Sequence, residues 1–113
     1  MSLRYAAEHL TAAVRSLATS EERLAERLQT AWDDQVQMLW MKPCLTTDLL
    51  REFRELWQRY TAPSDDRRST RLRELTHAET VTAIESLVSL ADKVGVAAST
   101  SPDAPLATLA DLD

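Results

Sequence analysis

A single glycine, Gly95, serves the whole 113-residue chain, and this limits the available folds more than any other feature. Tight hairpin turns, phosphate-cradling loops and dinucleotide fingerprints each call for glycine where a side chain would clash. What the chain holds instead is seventeen leucines and sixteen alanines, with few valines, isoleucines or phenylalanines. Leucine and alanine are strong helix formers, and the missing residue types are those that favour strands. An all-α domain follows. The length is sufficient to bury a core without metal or disulfide support.

Hydrophobic spacing places the helices. Leu3, Ala7, Leu10, Val14 and Leu17 recur at steps of three and four, which sets them on one helical face. A seven-residue recurrence continues through Leu24, Ala31 and Met38, as in one long coiled-coil helix. Two features favour a break near Thr19-Ser20 instead. Thr19-Ser20-Glu21-Glu22 has the pattern of a capping box, and Glu21 and Gln35 interrupt the second seam position. A second helix is thus expected over 21–41, with Leu24, Leu28, Ala31 and Gln35 on one face and a stop at Pro43.

Thr46 or Thr47 with Asp48 opens a third helix, whose apolar face is Leu49, Phe53, Leu56 and Tyr60, widened by Leu50 and Trp57. Arg51–Glu55 and Glu55–Arg59 stand at the spacing of ion pairs on its outer side. Residues 62–70 have no apolar period and read as a polar loop, followed by a short helical turn over 71–75. Thr76 and Glu79 form a further capping box. Behind it Val81, Ile84, Val88 and Ala91 make a stripe broadened by Leu87 and Leu90, and Gly95 stands where a left-handed stop residue is wanted. The expected architecture is a compact antiparallel bundle of about four helices over 1–95. A flexible acidic tail is expected over 96–113, with Leu106, Leu109 and Leu112 spaced to form one docking turn.

Charge and reactive residues restrict function. The formal net charge is −5, and Asp103, Asp111 and Asp113 in the basefree tail supply most of it. Arg67, Arg68, Arg71 and Arg73 form one basic cluster suited to phosphate. Asp65, Asp66 and Glu74 dilute it and no aromatic interleaves it, which argues against nucleic acid. His9, Cys44 and His77 are the only soft metal ligands, and no two lie within one helical turn, so no metal or cofactor site is expected. Asp33 and Asp34 are adjacent and diverge, unlike a catalytic carboxylate pair. The apolar runs are too short to cross a bilayer, and the first turns carry Arg4, Glu8 and Arg15, unlike a secretory signal; a cytoplasmic protein is expected.

One segment stands out. Over Met38-Leu39-Trp40-Met41 the apolar side chains project nearly all round the helix, where an ordinary surface helix keeps one face wet. Such an end is enclosed by the domain's own helices or covered by another chain. The expected function is accordingly a non-enzymatic protein–protein interaction module, with self-association included, using Met38, Trp40, Met41 and Trp57. Two alternatives stand beside it: a nucleic-acid-binding regulator acting through Arg67–Arg73, and a small-ligand binder with an interhelical pocket at His77 or Cys44.

Overall fold

The computed structural model describes residues 2–19, 23–40, 42–61 and 72–112. Among them are four α-helices: α1 (Leu3–Thr19), α2 (Leu24–Asp34), α3 (Thr47–Tyr60) and α4 (His77–Thr100). The helices pack as an all-α bundle, with α4 against each of the other three and most extensively against α1. The break expected after Thr19 is present, but Thr19 does not cap α2: it closes α1, with its hydroxyl donating to the Arg15 carbonyl at 2.9 Å. Arg23 stands at the α2 N-cap with no side-chain cap bond, while Ser20, Glu21 and Glu22 lie outside the described residues.

The second helix is shorter than its periodicity predicts. It ends at Asp34, and Val36–Leu39 winds more tightly as a 3-10 turn. Asp33 and Asp34 place two carboxylates at the negative end of α2, an unfavourable site for further α-helix. In a 3-10 turn residues three apart eclipse one another, so Val36 and Leu39 both reach the core. The change of pitch accounts for apolar side chains on several sides of this stretch.

The buried faces also sit one position away from the expected stripes. On α1 the buried residues are Leu3, Ala6, Leu10, Ala13 and Leu17, with Ala7 and Val14 at the margin. On α4 they are Thr80, Ala83, Leu87, Leu90 and Val94, not Val81, Ile84, Val88 and Ala91. Bulk misdirects the sequence reading here, because the inner face carries small residues that let neighbouring helices approach. Thr80 can enter that face since its hydroxyl donates to the Thr76 carbonyl at 2.9 Å, leaving no unsatisfied polar group.

The capping box at the start of α4 is formed: the Thr76 N–H donates to Glu79 Oε1 at 2.9 Å, and the Glu79 N–H donates to Thr76 Oγ1 at 3.2 Å. The Thr76 N–H first, and the Thr76 side chain after it, hold the Glu79 carboxyl below its ordinary pKa by hydrogen bonding to it. The expected stop at Gly95 is not present. α4 runs through it to Thr100, with Ala97 and Ala98 packed against the core, and Ser101 closes it ahead of Pro102. Packing thereby outweighs the roughly 1 kcal/mol that a mid-helix glycine sacrifices. Lys93 reaches across to Glu52 of α3 at 3.0 Å. Among the described residues Arg51 pairs with Asp48 at 3.7 Å rather than with Glu55.

The boundary expected at 95 therefore falls inside a helix. Beyond it the chain comes back over the bundle: the Ala107 N–H donates to the Leu45 carbonyl at 2.8 Å, and the Ala107 side chain is buried. A 3-10 turn over Leu109–Leu112 lies on α3, its start held by the Thr108 N–H donating to Asp111 Oδ2 at 2.7 Å. Leu106, Leu109 and Leu112 are half-buried against the core.

Candidate functional site

The tryptophan end comes first, as the segment the sequence singles out. Trp57 is 6% exposed and lies between two other indoles. Trp40 stacks on it with ring centroids 4.4 Å apart and planes 9° from parallel, and Trp32 stacks at 5.6 Å. Phe53 and Tyr60 complete the aromatic group. Of the four expected contact residues, Trp57 is thus in the protein's own core and Trp40 is half-buried against it. Met38 is 41% exposed, and Met41 lies outside the described residues. Trp32, fully buried with an unpartnered Nε1–H, is missed by the sequence reading, though its place one turn after Leu28 is the available signal.

A polar corner joins α1 to the segment before α3. His9 Nδ1 lies 2.7 Å from Gln35 Oε1, which assigns the hydrogen to Nδ1 with the amide in this orientation. The His9 ring meets Tyr5 edge-on at 4.5 Å, and Lys42 Nζ donates to Tyr5 Oη at 2.8 Å. Gln35, which breaks the seam in the sequence, is thus the residue that receives His9. Each group has a partner, and the corner works as an interhelical tie.

Cys44 is buried, and no hydrogen bond joins it to His9 or His77 among the described residues. Burial pushes its thiol up to about 11, outweighing the nearby Lys42 ammonium, so it is a poor nucleophile. The protonated form is the one the fold accommodates. Its contribution to stability is complete below pH 9.0, the unperturbed value, and is lost as pH rises towards about 11. Wild-type protein should therefore lose on the order of 2 kcal/mol more than Cys44→Ala across that interval in urea titrations. Equal losses in the two proteins would refute the assignment.

His77 is exposed at the first turn of α4, and the described residues contain no group of three His, Cys, Asp or Glu able to hold a metal. Arg67, Arg68 and Arg71 lie outside the described residues; Arg73 is exposed and borders an opening with Arg23 and Glu26. Asp33 and Asp34 are exposed, as expected of surface charges.

The surface the sequence reading did not single out is the outer seam between α1 and α4. A groove of about 540 Å³ runs along it, with Thr11 and Val14 on one bank and Val88, Ala91, Gly95 and Val96 on the other, interleaved with polar Asp92, Ser99 and Thr100. Val88 is 42% and Val96 55% exposed; with Met38 they are the large apolar residues most open to solvent among those described. The one-position shift of the α4 face is what places Val88 outside, so this surface was hidden by the stripe assigned to the core. No described helix is long and apolar enough to cross a membrane. Comparison with protein-family models, with curated proteins and with solved structures yielded no match.

Proposed function

We propose that this chain is a non-enzymatic helical protein–protein interaction module, working in the cytoplasm, whose main contact surface is the α1–α4 groove. The observation that carries this reading is the pairing of Val88 and Val96, two β-branched side chains left open on the outer face of α4 and lining a groove of mixed apolar and polar character. Isolated exposed apolar residues are common, but a contiguous set beside a groove is a feature of contact surfaces. The burial of the Cys44 thiol, which no hydrogen bond joins to His9 or His77 among the described residues, favours binding over catalysis. Met38 and the outer edge of Trp40 form a smaller apolar corner, separate from the groove.

Site-specific photo-crosslinking checks it. A photoreactive residue at Val88, in the full chain and in the cells that make it, should give an adduct of defined mass that Val96→Asp abolishes. The same group at exposed Gln58 on α3 should give none. Absence of any adduct at Val88, or equal labelling at both positions, would overturn the module reading.

A further inference from the structure

We infer that the occupant of the α1–α4 groove is a second copy of this chain, related by a two-fold axis running along the groove; this rests on the module reading above. Three observations lead to it. The first is Gly95. A β-carbon placed there would meet nothing within 4 Å, and its backbone φ is not in the left-handed range. Nothing inside the chain requires glycine at that point, yet mid-helix glycine is disfavoured by about 1 kcal/mol against alanine. It lines the groove, where a glycine lets another backbone approach closely.

The second observation is charge. Glu85 and Asp92 stand one turn to either side of Val88 on the crest of α4, both exposed. On the opposite bank Arg15 follows the groove residue Val14 and is exposed as well. None of these three has an ion-pair partner among the described residues. The other exposed charges of the α1 bank, Arg4 and Glu8, pair with each other at 3.4 Å, so Arg15 is the charge left to face the acids, a self-complementary pattern of acid on one bank and base on the other.

The third is direction. Thr11 and Val14 border the groove with Val88, whereas Ser2 and Arg4 lie near Ala98 and Pro102, so α1 and α4 run antiparallel. A two-fold axis parallel to the helices lays α1 of one copy over α4 of the other at the same height. Arg15 then faces the partner's acidic crest twice over, and the exposed valines meet across the axis. An axis perpendicular to the helices would instead oppose α1 to α1 and bring like charges together. Electrostatics select the first arrangement.

Sedimentation equilibrium on the full chain, from about 1 µM to about 1 mM, covers the range of weak to moderate association. Wild type should show a monomer–dimer equilibrium. Val88→Asp with Val96→Asp should be monomeric throughout while keeping the wild-type circular dichroism spectrum and thermal midpoint. Gly95→Leu should raise the dimer dissociation constant by about tenfold or more, the free-energy equivalent of one misplaced side chain at a packed contact. Arg15→Glu should weaken association, and adding Glu85→Arg and Asp92→Arg should restore it, a rescue that only pairing between copies produces. A wild type monomeric at the highest concentration overturns the proposal, as does a dimer indifferent to the valine substitutions. If that monomer still forms a Val88 adduct with a different protein, the second copy is excluded and the module stands. If it forms none, both readings fall.

Discussion

Trp57→Ala should lower the stability of the folded chain by about 3–5 kcal/mol, a large share of the roughly 5–15 kcal/mol that holds a domain of this kind together. Trp57 is the shared member of both indole stacks, at 4.4 Å from Trp40 and 5.6 Å from Trp32, and it also contacts Phe53. Truncation removes its own buried area and leaves a cavity bounded by rings that stay in place because three separate elements hold them. Both terms act in the same direction. Trp40→Ala should cost clearly less, since Trp40 already has one side towards solvent. Urea unfolding followed by far-ultraviolet circular dichroism measures both. Equal effects would mean that the stack is loose and that the indoles pack independently.

Leu87→Ala and Val88→Ala, neighbours on α4, should behave in opposite ways. Leu87 is fully buried between the helices, so its truncation should cost about 2–5 kcal/mol. Val88 is 42% exposed, and its truncation should fall within about 0.5 kcal/mol when measured in dilute solution, where no partner covers it. The comparison tests the rotation of α4 directly. If Val88→Ala proved the costlier change, the helix would be turned by one residue and the groove would not exist.

Much of the architecture is legible in the residues themselves. The capping box at Thr76 and Glu79, the all-α composition and most of the α3 face (Phe53, Leu56 and Tyr60, with Leu50 and Trp57 buried beside them and Leu49 only half-buried) have local physical causes and appear as local physics dictates. The break after Thr19, by contrast, is present without the cap that signals it. The errors have a common origin in tertiary packing. Gly95 has the local character of a stop, but the alanines after it find a core to pack on. Ala6, Ala13 and Ala83 are too small to dominate a hydrophobic stripe, yet smallness is what suits them to tight helix contacts. The change to 3-10 winding at Val36 leaves no mark in a periodicity count based on α-helix alone. The candidate surface was missed for the same reason: once Val88 is counted as core, the groove beside it cannot be seen.

The indole stack also determines what light can report. All three tryptophans of the chain belong to it, contributed by α2, the turn after it and α3, while α1 and α4 carry none. Intrinsic emission is consequently a local gauge, sensitive to loosening on the aromatic side and nearly blind to events along the opposite wall. A binding partner seated on the groove could leave the emission spectrum unaltered, and a flat fluorescence titration would say nothing about whether it had arrived.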